Sequence, residues 1–165
     1  MRTFIGLGSN LGERESMIRR ALDDLARLPS TTLVRASSLY ETTPVGDPDQ
    51  PGFLNAVAKL ETGLTARQLL WNLLLIERRL GRVRTRHWGP RVIDLDLLLH
   101  GGEVLNQPDL TVPHPELIRR SFVLVPLVEL DPLVVHPVTG ETMLAHLSHL
   151  KNDRPPVKKG SRLWS

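Results

Sequence analysis

The sequence predicts an α+β fold, a sandwich with a mainly antiparallel sheet, and three features point that way. Stretches of strand periodicity and helical periodicity interleave along the chain, short turn-rich joints suited to hairpins separate several strands, and no linker divides the 165 residues. A doubly wound parallel sheet would need helical crossovers throughout, which the joints do not supply.

Residues 3–7 (TFIGL) read as the first strand, and Gly8 to Gly12 as a turn. Glu13 to Leu28 is predicted helical, with Ile18, Ala21, Leu22 and Leu25 as its apolar stripe and Pro29 beyond its end. A strand is expected over 32–41, then a loop over 42–52, where Pro and Gly break any period. From Phe53 to Glu61 the residues alternate, with Leu54, Ala56, Ala58 and Leu60 on one face and Phe53, Asn55, Val57 and Lys59 on the other. Thr65 is placed to cap a helix that runs to Leu80 and stops at Gly81. An arginine-rich loop, 82–90, leads into a strand over 91–100. Gly101-Gly102 reads as a hairpin turn into a short strand at 103–105. Helices are predicted near 121–130 and 141–150. Residues 1–150 form one expected catalytic domain, and 151–165 a basic, flexible tail.

Composition narrows the function. There are no cysteines, which removes disulfides and thiolate chemistry. No apolar run approaches the ~20 residues of a membrane span, and no secretory leader is visible at the start, so a cytoplasmic location is expected. The charge is 21 basic against 18 acidic residues, net +3, with pI near 9.8. Its arginines bunch between Arg78 and Arg91.

The chemistry concentrates just after that cluster. On a strand, Asp94 and Asp96 project from the same side, roughly 7 Å apart at Cα. Two carboxylates on an otherwise apolar strand call for a cation. Nearby arginines in a structural ion-pair network would satisfy them, and for an isolated Asp-x-Asp that is the commoner case. A hard divalent ion is the sharper alternative, and oxygen ligands without Cys favour Mg2+ over zinc. The upstream loop favours the ion: Arg82, Arg84, Arg86 and Arg91 surround Trp88-Gly89-Pro90, so phosphate-seeking groups precede a metal-seeking pair. A magnesium polyphosphate satisfies both halves.

With GLGSNLG at 6, TPVGDPDQPGFLNA at 43, GRVR at 81, WGPRVIDLDLLL at 88 and LTVPHPELIRRSFVLVPLVEL at 110, the sequence resembles the 6-hydroxymethyl-7,8-dihydropterin pyrophosphokinases of folate biosynthesis. The resemblance implies a ferredoxin-like α/β sandwich, ATP as co-substrate and two Mg2+ ions. It implies catalytic roles for Arg82, Arg91, Asp94 and Asp96, with both aspartates as metal ligands. It assigns ATP contacts to Glu77, Arg82, Arg84, Arg91, Leu97, Thr111, His114 and Arg120. The pterin pocket would comprise Thr43, Val45, Phe53, Asn55, Trp88 and Phe122, two aromatic rings sandwiching the bicycle while Asn55 bonds its edge. Two positions depart from the family pattern: Leu74 stands where Gln is expected, and Asp109 where a phosphate-binding Arg can occur.

Small-molecule substrates and a monomer are therefore expected, with no membrane or specific nucleic-acid partner. The basic pI and arginine cluster suit a nucleic-acid-binding domain as a rival. Against it stand an aromatic content of 4% and an acidic pair that repels a phosphate backbone. A metal-dependent phosphohydrolase would use the same carboxylates with water as the acceptor.

Overall fold

A computed structural model describes residues 1–42, 52–81, 92–150, 155–160 and 163. The elements run β1 (Arg2–Ser9), α1 (Arg14–Ala26), β2 (Thr31–Ala36), β3 (Leu39–Thr42), β4 (Phe53–Thr62), α2 (Ala66–Arg79), β5 (Asp94–His100), β6 (Leu105–Gln107), β7 (Leu110–Val112), α3 (Ser121–Leu130), α4 (Met143–His149) and β8 (Val157–Lys159), with one 3-10 turn at Leu117–Arg119. Strand order is β5-β1-β4-β3-β8, and β2 also pairs with β4. All these pairings are antiparallel, so the protein is α+β as its periodicity predicts.

Alternation along the central strands builds two cores, one on each face of the sheet. Ile5, Leu7, Leu54, Ala56, Ala58, Leu60, Leu95 and Leu97 pack against the apolar stripes of α1 and α2. Phe4, Val57 and Leu99 face the other way, toward Leu124, Leu127 and Leu130 of α3 and Met143 at the start of α4. Gly6 and Gly8 share the face of Phe4, because successive side chains on a strand point to opposite sides. Local signals hold where they were strong. The Thr65 hydroxyl accepts from Gln68 N at 3.1 Å, and the Gln68 side chain accepts from Thr65 N at 2.9 Å. This capping box starts α2. Gly81 leaves the helix with φ +95°, in the left-handed region that favours glycine.

Three expectations need correction. Gly8 and Ser9 are strand, not turn: Gly8 lies between Asn55 and Asp94, and two hydrogen-bonded neighbours keep the backbone extended. The strand expected over 32–41 is two strands, because Ser37 and Ser38 give their polar groups to other partners. Val57 N donates to Ser37 Oγ at 2.9 Å, and both Ser38 N and Ser38 Oγ donate to the Glu129 carboxylate on α3. The strand after Gly101-Gly102 falls at 105–107 and pairs with β7 instead of β5. Beyond Leu150, Val157–Lys159 of the expected tail lie antiparallel along Leu39–Glu41. No described helix is long and apolar enough to cross a membrane.

Histidine burial gives the fold a pH dependence of definite sign. Burial pushes His100, His114 and His136 below their ordinary 6.5; Arg120 adds to this at His114, and His146 adds to it at His136. His136 Nδ1 accepts from Val138 N at 3.2 Å and Thr139 N at 3.3 Å, a position a proton would close. Since the folded values lie below the unfolded one, this stability is complete above 6.5 and is lost as pH falls through the depressed values. Asp109, lowered by its Arg67 partner, acts only below the ordinary 3.8 and so outside that window. The melting temperature should fall between about pH 7.5 and about pH 5.5, and less steeply in His136→Asn, whose Oδ1 still accepts from the amides.

Candidate active site

The central strands place the acidic pair by register. Asp94 lies opposite Gly8, and Asp96 opposite Gly6. On the far side of β1, Gly8 faces Asn55 and Gly6 faces Val57. Leu95 and Leu97 turn into the α1/α2 core, so both aspartates point to the other face, where they are half-buried. The resulting row, Asp94–Gly8–Asn55, has carboxylate at one end, amide at the other and no side chain between. A Cβ built on Gly8 would lie 3.2 Å from Asn55 Oδ1 and 3.7 Å from Phe53 Cδ1. The glycine leaves a floor on which a flat molecule can lie. If this floor takes the pterin that the sequence resemblance implies, Gly8→Val should raise the pterin KM at least about tenfold and leave the ATP KM within about twofold, read by steady-state kinetics.

Asn55 is itself held: its Nδ2 donates to Thr42 Oγ1 at 3.2 Å. The acidic pair is held from both sides of its strand. Leu95 N, between the two aspartates, donates to Glu77 Oε2 at 2.7 Å, and the Glu77 side chain is 4% exposed. Just upstream, Ser9 Oγ donates to Val92 O at 2.5 Å, tying the end of β1 to the approach to β5.

His114 joins this end of the sheet because its amide donates to Leu98 O at 2.9 Å. Its Nδ1 accepts from Glu116 N at 3.1 Å, so the neutral ring carries its proton on Nε2. Desolvation lowers its pKa, Arg120 adds to that, and Glu116 and Asp94 oppose it, which brings Asp94, His114 and Arg120 into one electrostatic neighbourhood. The Arg120 guanidinium lies over the Phe122 ring, 5.6 Å from its centroid.

The fold therefore brings Asp94, Asp96, Phe53 and Asn55 to one sheet face, sets His114 within electrostatic reach of both Asp94 and Arg120, and puts Phe122 against Arg120. Leu97 does not join them by its side chain, which is 5% exposed in the opposite core. Thr111 is exposed on β7 opposite Asn106. Glu77 presents its carboxylate to the β5 backbone. Thr43, Val45, Arg82, Arg84, Trp88 and Arg91 lie outside the described residues. The two departures are also explained locally: Asp109 pairs with Arg67 Nη1 at 2.6 Å, fastening the β6–β7 turn to α2, and Leu74 is 42% exposed on α2. Gly6, Gly8 and the backbone role of Glu77 escaped the sequence reading. Glycine at alternate positions of one strand was the available signal.

Comparison with known proteins sets first the class and then the family. The wild-type HPPK-DHPS of Plasmodium falciparum superposes with TM-score 0.69 over 89% of this chain and 44% of its own, at 13% identity, which shows the shared α+β fold. Residues 4–132 match the family description "7,8-dihydro-6-hydroxymethylpterin-pyrophosphokinase (HPPK)". A Pseudomonas aeruginosa 2-amino-4-hydroxy-6-hydroxymethyldihydropteridine pyrophosphokinase is 50% identical over 79% of this chain and 81% of its own length. The "Folic acid synthesis protein fol1" of Pneumocystis carinii is 42% identical over 93% of this chain, which spans only 21% of that longer protein. The chain belongs to the 7,8-dihydro-6-hydroxymethylpterin-pyrophosphokinase family, and it is a pyrophosphokinase of folate biosynthesis. ATP as co-substrate follows from the kinase family, as do small-molecule substrates.

Proposed function

We propose that the chain transfers the terminal diphosphate of ATP to the hydroxymethyl oxygen of 6-hydroxymethyl-7,8-dihydropterin, with Asp94 and Asp96 as ligands of Mg2+. The row Asp94–Gly8–Asn55 carries this reading, because it sets a cation-seeking pair and an amide at opposite ends of a bare sheet floor. The donor set fits magnesium, which accepts one or two carboxylates and takes its remaining ligands from phosphate and water. The pair is half-buried, so substrate can reach it.

The acceptor hydroxyl attacks the β-phosphorus, the bond from that phosphorus to the α,β-bridging oxygen breaks, AMP leaves, and the hydroxyl proton passes to solvent or to a phosphate oxygen. Bound magnesium would neutralise charge on the phosphates. Asn55 and Phe53 would bind the pterin's edge and face, and Phe122 its other face after Arg120 turns from the ring to phosphate. His114, held neutral near Asp94 by desolvation, can donate from Nε2 to a phosphate oxygen. Arg82, Arg84 and Arg91 would add guanidinium contacts to the same phosphates, Thr111 a hydroxyl, Trp88 a pterin-stacking ring, and Thr43 and Val45 the remaining pocket wall. Glu77 and Leu97 would act from behind the strand. The rate then comes from positioning and charge stabilisation. We further assign residues 1–150 to the catalytic domain, whose sheet β8 extends at its edge, two Mg2+ ions to the site, and a cytoplasmic monomer to the working state.

Phosphorus NMR of the protein with MgATP and the pterin alcohol tests the reading. AMP and pterin diphosphate should appear only when both substrates and Mg2+ are present. Phosphate release from ATP without the pterin would instead assign the site to a hydrolase.

A further inference from the structure

Thr42, whose hydroxyl orients Asn55, is the last residue of β3, and its neighbour Glu41 is held by cations from both ends of the chain. Arg14, the first residue of α1, places Nη1 3.2 Å from Glu41 Oε1 and 2.6 Å from the carbonyl oxygen of Gly52. One guanidinium thus grips β3 at its end and the chain again just ahead of β4. From the other side, Lys159 of β8 sets Nζ 3.8 Å from Glu41 Oε2. β8 reaches that position by pairing Leu39 with Lys159, Tyr40 with Lys158 and Glu41 with Val157. Leu163 N extends the attachment to Ser37 O at 3.2 Å.

We propose that Glu41, clasped by Arg14 and Lys159, is a positioning residue for the acceptor amide. It fixes the end of β3, so that the Thr42 hydroxyl meets Asn55 Nδ2 and holds the amide in one rotation. The C-terminal strand thereby takes part in acceptor recognition without touching the acceptor. The inference rests on the reading of Asn55 as the acceptor's hydrogen-bonding partner.

The clasp is geometric more than stabilising. Its ion pairs are partly exposed, and such pairs add little to folding. The Asn55 amide, in contrast, takes its rotation from Thr42 Oγ1 at 3.2 Å among the described residues, so a small shift of β3 changes which of its atoms face the substrate.

Acceptor and ATP KM, turnover and melting temperature should be measured for Arg14→Ala, Glu41→Ala, their double variant, Arg14→Lys and Lys159→Ala, with Asn55→Ala as reference. Arg14→Ala and Glu41→Ala should each raise the acceptor KM about five- to tenfold and leave the ATP KM within about twofold. The double variant should fall short of the product of the two single effects, since the Arg14–Glu41 contact is lost in both, while Arg14→Ala also loses Gly52 O and Glu41→Ala also loses Lys159. Arg14→Lys, which can still reach Glu41, should recover part of the loss, and Lys159→Ala should show a smaller rise of about twofold. If Asn55→Ala raises the acceptor KM but the Arg14 and Glu41 variants do not, the clasp is without function and the proposal fails alone. A parallel rise of both KM values with a lower melting temperature would make the clasp merely structural and overturn it too. An unchanged acceptor KM in Asn55→Ala would remove the underlying reading, and the proposal with it.

Discussion

Asp94→Asn and Asp96→Asn should each lose on the order of 100-fold or more in turnover, equivalent to roughly 3 kcal/mol in the barrier, while the protein stays folded. Each substitution keeps size and removes one negative charge from a pair projecting on the same side of β5. Their strand is fixed by its register with Gly6 and Gly8 and by the α1/α2 core behind Leu95 and Leu97, none of which depends on the charge. Relief of repulsion between the two carboxylates offsets part of whatever partner interaction is lost. If the carboxylates served only as structural ion-pair partners, the forecast reverses: Asn would strand a cation, stability would fall by about 3–5 kcal/mol, and Mg2+ would affect neither protein. Thermal melts with and without MgATP, beside the phosphorus NMR assay, separate the two. Folded, inactive variants that MgATP no longer stabilises support the magnesium site; unstable variants and a wild type indifferent to Mg2+ defeat it.

Glu77→Ala should lower both stability and turnover, whereas Glu77→Gln should be mild in both. The Leu95 amide donates to Glu77 Oε2 within the buried edge of β5, and truncation to Ala leaves that donor without its acceptor. An orphaned buried amide costs about 1–3 kcal/mol, and at about 2–4 °C per kcal/mol for a chain of this size the melting temperature should drop by roughly 5 °C. Leu95 sits between the two aspartates, so loosening its amide loosens their spacing, and turnover should fall on the order of tenfold. Gln keeps a carbonyl oxygen in the same place. The two variants therefore distinguish a backbone anchor from an ATP contact: an unaltered melting temperature with a raised ATP KM in both would show that Glu77 acts on the nucleotide.

Strand alternation in the sequence already put Asp94 and Asp96 on one face and Leu54, Ala56, Ala58 and Leu60 on the other side of their own strand, and both hold. The Thr65 cap and the Gly81 stop were equally legible, since capping boxes and left-handed glycines are satisfied within a few residues of chain. Motifs read in order were enough for the family, which the match over residues 4–132 bears out. Periodicity failed where partners lie far along the chain. Nothing between 32 and 41 announces that Ser38 will donate to Glu129, ninety-one residues away, and so divide a strand. Gly101-Gly102 looks like a hairpin joint by itself, yet the next strand finds β7 as its partner.

By itself, then, the sequence determined the α+β class, the helix limits at α2, the one-sided carboxylate pair and the family, because each is written in neighbouring residues or in ordered motifs. Only the tertiary structure decided that Gly8 separates Asp94 from Asn55, that Glu77 anchors the strand between the aspartates, and that Lys159 reaches Glu41. Those three are facts of register and of contacts between distant segments. They follow from how the strands pair around two cores, and local periodicity specifies which face a side chain takes without specifying the strand that will lie beside it.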